Sequence, residues 1–100
     1  MAREVAWTDT ASDDLDEVAG YIAKDSEFYA VTVVRELISA ARSLTILGGR
    51  GRVVREYRDP TIRQLVVRDY RLVYQITDSF IYVLRIIHGA RMLPPRVPNA

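Results

Sequence analysis

Residues 71–88 read RLVYQITDSFIYVLRIIH. Two runs rich in Val, Ile, Leu and Tyr flank Asp78-Ser79, a pair short and polar enough for a tight hairpin turn. In the first run Leu72, Tyr74 and Ile76 alternate with Arg71, Val73, Gln75 and Thr77, a period of two that marks a strand with one face for a core. In the second, strict alternation sets Phe80, Tyr82, Leu84, Ile86 and His88 against Ile81, Val83, Arg85 and Ile87. Both sets are largely apolar, so this strand is expected to be central, with the set ending in His88 toward the covering layer and the Arg71/Arg85 set on the far side.

Upstream, residues 52–56 and 62–68 have the same β-rich composition, and Asp59-Pro60 and Asp69-Tyr70 supply turns. The expected sheet is an antiparallel meander of three to four strands. Before Gly48-Gly49 the period is close to 3.6. Ala11, Leu15, Val18, Ala19 and Ile22 form one helical stripe over residues 9 to 24, with Thr8 as N-cap and Asp13, Asp14, Asp16 and Glu17 mostly off the stripe. Ala30, Val34, Leu37, Ile38, Ala41 and Leu44 form another, capped by Asp25 or Ser26 and stopped by Gly48-Gly49. The short link KDSE favours an antiparallel helical hairpin, and residues 4–7, EVAW, read as a first strand. The fold class is therefore α+β: an N-terminal strand, a helical hairpin, then the meander packed on that hairpin. Residues 1–93 are expected to form one domain and the proline-rich residues 94–100 a tail.

Composition agrees with a single core. One hundred residues with 49% hydrophobic and 27% charged side chains describe an ordinary globular chain, and with no cysteine it has neither disulfides nor thiolate metal sites. No run approaches the roughly 18 to 20 apolar residues of a membrane helix, and MAREVAW lacks the apolar centre of a signal peptide, so no membrane association and a cytoplasmic location are expected. Charge is divided: residues 1–49 carry four basic against nine acidic groups, residues 50–100 ten against four. That asymmetry is an interaction signal. Thirteen of the fourteen basic residues are arginine, whose planar donor fork fits carboxylate and phosphate.

The far face of the meander is too apolar to be only wet. Val73, Ile81, Val83 and Ile87, interrupted by Arg71 and Arg85 with Arg63 or Arg68 on the neighbouring strand, make a candidate partner-binding surface, with Arg91 a further exposed contact. Either the proline-rich tail folds back over it or another chain covers it. GGRGR leads into a strand and lacks the following Lys-Ser or Lys-Thr of a phosphate loop, so it reads as a helix stop followed by a basic loop. The acidic run from Asp13 to Glu17 reads as a solvated helix start, and no metal or cofactor is expected. Glu56, Arg71 and His88 are the residues able to do chemistry: a base for a 2′-hydroxyl from His88 or Glu56, and a phosphate clamp from Arg71. A lone histidine at a strand end equally suits a structural role.

The order and spacing of WTDTASDDLDEVAGYIAKD, LGGRGRVVREY, IRQLVVRDYRLVYQI and YVLRIIHGAR resemble the RelE/ParE family of bacterial type II toxins over about residues 4 to 92. The resemblance implies a toxin neutralised by a cognate antitoxin, ParD-like or similar, in a hetero-oligomer. It further implies either cleavage of mRNA on the ribosome or poisoning of DNA gyrase. Glu56, Arg71 and His88 fall where a ribonuclease branch has its glutamate, arginine and histidine. Ribonuclease members place a tyrosine at or just beyond this strand end, where this chain continues Gly89-Ala90-Arg91, and the lysine-rich site of other members is missing. HGAR is nearer the ParE branch, so gyrase inhibition leads, mRNA cleavage is the alternative, and an inactive binding module is the third reading.

Overall fold

The computed structural model describes residues 2–89. Strand β1 (Glu4–Trp7) leads into helix α1 (Asp9–Ala23). The Thr8 hydroxyl caps that helix, accepting from the Ala11 N–H at 3.1 Å while donating to the Val83 carbonyl at 2.9 Å. One side chain thereby ends the strand, starts the helix and fastens both to the sheet. Helix α2 (Glu27–Ser43) starts at Ser26, whose hydroxyl accepts from the Tyr29 N–H. The helix ends at Ser43, short of Gly48-Gly49. Thr45 and Ile46 are β-branched, and the Thr45 carbonyl is taken by the Arg3 N–H at 3.0 Å, which turns the chain before the glycines. Gly48–Arg50 form a single 3-10 turn.

The sheet contains β2 (Arg52–Val53), β3 (Ile62–Val67), β4 (Tyr70–Ile76) and β5 (Phe80–His88), in the order β1-β5-β4-β3-β2. All neighbours are antiparallel except β1, which lies parallel to β5 with Trp7 opposite Val83. The expected strand over 52–56 is only two residues long. Val54 keeps a last bond to β3, its N–H donating to the Ile62 carbonyl at 3.0 Å, with its side chain 1% exposed, and Arg55–Tyr57 then form a second 3-10 turn. The β3–β4 turn is Arg68-Asp69 rather than Asp69-Tyr70: Arg68 adopts a left-handed φ of 53°, and Tyr70 opens β4 opposite His88.

The helical hairpin covers one sheet face. Val33, Leu37 and Leu44 pack there with Leu72, Tyr74, Ile81 and Val83, all fully buried. Burying each large aliphatic side chain stabilises the fold by roughly 1.5 to 3 kcal/mol before entropy is counted. Tyr74 keeps its hydroxyl satisfied by donating to the Gly48 carbonyl at 2.7 Å and accepting from the Gly51 N–H at 2.9 Å. A smaller cluster of Val54, Ile62, Val73, Leu84 and Ile87 fills the other face, with Tyr57 and Tyr82 packed against it.

Strict alternation fails in β5. Val73 lies opposite Arg85 while Tyr74 lies opposite Val83, so Leu84 is an extra residue and the strand bulges. Before the bulge the faces are the reverse of the alternation reading: Ile81 and Val83 belong to the helix-side core, and Tyr82 and Leu84 to the outer side. After it Ile86 is on the helix side and Ile87 on the outer side, as alternation predicts. Among the described residues no helix is long and apolar enough to cross a membrane.

Candidate functional site

Beyond Trp7 strand β1 stops, and β5 continues alone on that side. The start of α1 takes the place of the missing strand. The Asp14 carboxylate accepts from the Ile86 N–H at 3.0 Å and from two nitrogens of Arg85, Nε at 2.7 Å and Nη2 at 3.2 Å. Side-chain exposure is only 12% for Asp14 and 27% for Arg85, so the pair is shielded enough to matter energetically. Hydrogen bonding to Asp14 holds the Arg85 guanidinium more firmly protonated than usual, against the opposing effect of burial. Asp14 therefore departs from its acidic neighbours, which the sequence places on a solvated face. Its spacing contains the signal: three residues after Ala11 and four before Val18, it falls on the buried stripe.

The three residues with chemical potential do not meet. Arg71 lies opposite Ile87 and Val66, and its Nη2 donates to the Gly89 carbonyl at 3.2 Å. His88 lies opposite the neighbouring residue Tyr70, and their rings meet edge to face at 5.4 Å. Tyr70 belongs to the helix-side core, whereas Ile87 belongs to the outer cluster. Arg71 and His88 accordingly stand on opposite faces. Glu56 is exposed in the turn beside Tyr57. Burial, and then the Glu56 charge, pushes the Tyr57 phenol above its ordinary range, while nearby Arg85 opposes the shift. The outer face thus carries Tyr57, Arg71 and Arg85, with Glu56 exposed in the adjoining turn. Tyr57 had no signal in the alternation pattern because it reaches this face from a turn.

The candidate contact residues divide the same way. Ile81 and Val83 are fully buried under the helices, which removes them from any partner surface. Val73 and Ile87 face outward but are buried by Val54 and its neighbours, so a segment of this chain already covers much of the face expected to be open. Arg63 is in register with Tyr74 and donates to the carbonyls of Gly49 and Gly51. Arg68 crosses from the β3–β4 turn to α2, where it makes a bidentate pair with Glu36. Neither belongs to the outer face. Arg91 and residues 94–100 lie outside the described residues.

Open apolar surface lies instead on the hairpin. A groove between the helices is lined by Ala19, Gly20 and Ala23 from α1 and by Val31, Val34 and Ile38 from α2. A side-chain carbon added at Gly20 would meet nothing within 4 Å, and Val31 is 54% exposed. Arg35 and Arg42 stand at its margin, seven residues and therefore two turns apart.

A helical hairpin on a five-stranded sheet, with a groove along the hairpin, defines a small α+β fold. The same fold occurs in the solved structure titled "Chromosomal ParDE TA system from P. aeruginosa", with a TM-score of 0.71 at 21% identity over 87% of this chain and 96% of that one. The family model described as "ParE toxin of type II toxin-antitoxin system, parDE" matches residues 5–93, and the chain belongs to that family. It is also 34% identical to the protein named "Toxin RelE2" of Caulobacter vibrioides, over 90 residues that cover 89% of this chain and 98% of that protein.

Proposed function

We propose that this type II toxin acts by inhibiting DNA gyrase and that an antitoxin segment restrains it by lying along the hairpin groove. The observation that carries the gyrase reading is the separation of His88 from Arg71 by the sheet itself. A base must come within hydrogen-bond reach of the proton it removes, and a phosphate held at Arg71 lies across the sheet from His88. The groove supports the antitoxin reading: its small residues admit a helix closely, and Arg35 and Arg42 offer charge to acidic residues spaced two turns apart on that helix. This toxin is taken to work in the cytoplasm as one domain spanning residues 1–93.

Purified toxin is expected to block supercoiling by gyrase or to stabilise cleaved DNA, and His88→Ala is expected to remain fully toxic. Intact supercoiling together with cutting of ribosome-bound mRNA would overturn this reading. The ribonuclease alternative has one observation in its favour, the presence of Tyr57, Arg71 and Arg85 on one face with Glu56 in the adjoining turn. It predicts that Tyr57→Phe and Arg71→Ala each abolish mRNA cleavage with the fold intact. Loss of neither activity on these substitutions, because neither is present, would leave the binding-module reading.

A further inference from the structure

Arg50 and Arg52 lie at the β2 edge of the sheet and Arg55 and Arg58 in the turn that follows it, and all four are exposed. They differ in pairing from the arginines elsewhere. Arg68 and Arg85 each hold a carboxylate, whereas none of these four is ion-paired among the described residues. The Arg50 guanidinium donates to the Ser43 hydroxyl, a neutral partner. Two carboxylates share the stretch, and Asp59 turns Oδ1 inward to accept from the Thr61 N–H and hydroxyl, leaving Glu56 exposed among the arginines. Arg58 sits in a left-handed conformation at φ 51°, closing the turn that begins at Arg55, so these two guanidinium groups bracket a single turn.

The opposite edge has the opposite charge. Helix α1 carries five acidic residues and no basic one, and it packs on β5. Three inter-strand spacings of about 4.8 Å separate β5, on which α1 packs, from β2, so the two charged regions stand roughly 14 Å apart. A polyanion approaching this molecule is attracted to the β2 edge and repelled from α1, which fixes its orientation.

We propose that the β2 edge binds the phosphate backbone of duplex nucleic acid through Arg50, Arg52, Arg55 and Arg58. A duplex presents one charge per roughly 1.7 Å of its axis, so a row of arginines meets several phosphates without reading sequence. Single strands are a poorer fit because they are held by stacking bases on aromatic rings. The exposed aromatic side chains Tyr21, Phe28 and Tyr29 all lie on the helices, and Tyr57, the aromatic residue within the arginine stretch, packs onto the outer cluster. This inference goes beyond the gyrase reading and is independent of it, since its test contains no gyrase.

Fluorescence anisotropy of the full chain with a labelled 20-base-pair DNA duplex of arbitrary sequence, titrated over salt, measures the contact. Wild type is expected to bind with a log K against log salt slope of about −3.6, four phosphates at about 0.9 each. Substituting Arg52→Gln, Arg55→Gln and Arg58→Gln together should flatten that slope by about 2.7 and weaken binding at least tenfold at moderate salt. Lysine at the same three positions should restore most of the slope, and Arg68→Gln should leave it unchanged. If circular dichroism reports loss of fold in the triple variant, the pair Arg55→Gln and Arg58→Gln, outside the strand, replaces it with an expected flattening of about 1.8. The proposal is overturned if the folded variant binds as wild type does, if a single-stranded oligonucleotide binds more tightly than the duplex, or if a polyglutamate peptide binds as well.

Discussion

The two sides of the sheet treat arginine in opposite ways. On the β1 side, where β5 runs past its neighbour, Arg85 is folded inward against Asp14 and becomes part of the structure. On the β2 side, Arg50, Arg52, Arg55 and Arg58 have no carboxylate partner among the described residues, and the chain is fastened by glycine backbone and the Tyr74 hydroxyl. The difference teaches that the positive charge of this chain is not one surface. An arginine clasped by a helix acid, as Arg85 is, becomes part of the structure, whereas the four on the β2 side keep their charge exposed.

The largest effect is expected where the β2 side is tightest. A methyl group at Gly51 would lie 2.5 Å from the Tyr74 hydroxyl oxygen and 2.7 Å from the Gln64 carbonyl, so Gly51→Ala must push β2 off its neighbour. A loss of about 3 kcal/mol in urea unfolding is expected, at the upper end for overpacking. An unchanged midpoint would mean that β2 is only loosely seated. Asp14→Ala breaks the other side. It leaves Arg85 half-shielded without its partner and the Ile86 N–H without an acceptor, for about 2 kcal/mol after allowing for partial exposure. Asp14→Asn keeps one acceptor and should lose less. Equal losses for the two variants would exclude any contribution from the backbone contact.

Tyr74→Phe is smaller again. It keeps the buried ring but leaves the Gly51 N–H and the Gly48 carbonyl unpaired, with about 1 to 1.5 kcal/mol expected by thermal or urea unfolding. Glu36→Gln should have the smallest effect, because the Arg68–Glu36 pair is exposed and solvent screens it. Its sign is set by titration. Hydrogen bonding from Arg68 lowers the Glu36 pKa from 4.5, so the pair's contribution is present above about that pH and fades as pH falls further. Wild type and variant should therefore converge in stability in acid, and a gap that widens below pH 4 would contradict the assignment.

Most elements are legible in the sequence alone. Thr8 marks the first helix start, Asp25 or Ser26 the second, where Ser26 is the cap, and Phe80–His88 has the bounds its composition predicts. The errors fall where a tertiary contact outcompetes a local signal. Gly48-Gly49 reads as the end of α2, but the Arg3 N–H claims the Thr45 carbonyl first. Residues 52–56 read as strand, but Val54 and Tyr57 turn away to cover Val73 and Ile87. The candidate site was half legible. Arg71 and His88 fall on opposite faces as alternation predicts, whereas Arg63 and Arg68 are claimed by loop carbonyls and by Glu36.

By itself the sequence determined the helical hairpin, the strands that follow it and the separation of acidic from basic halves, because periodicity, capping residues and charge are local properties that need no partner to be read. Only the tertiary structure decided which side chains of β5 face the helices. That strand is apolar on both sides, so sliding it by one residue has little effect on the pattern and reverses every side chain before Arg85. The bulge at Leu84 and the Asp14 clamp settle the choice, and both exist only once α1 lies against the unpaired end of β5.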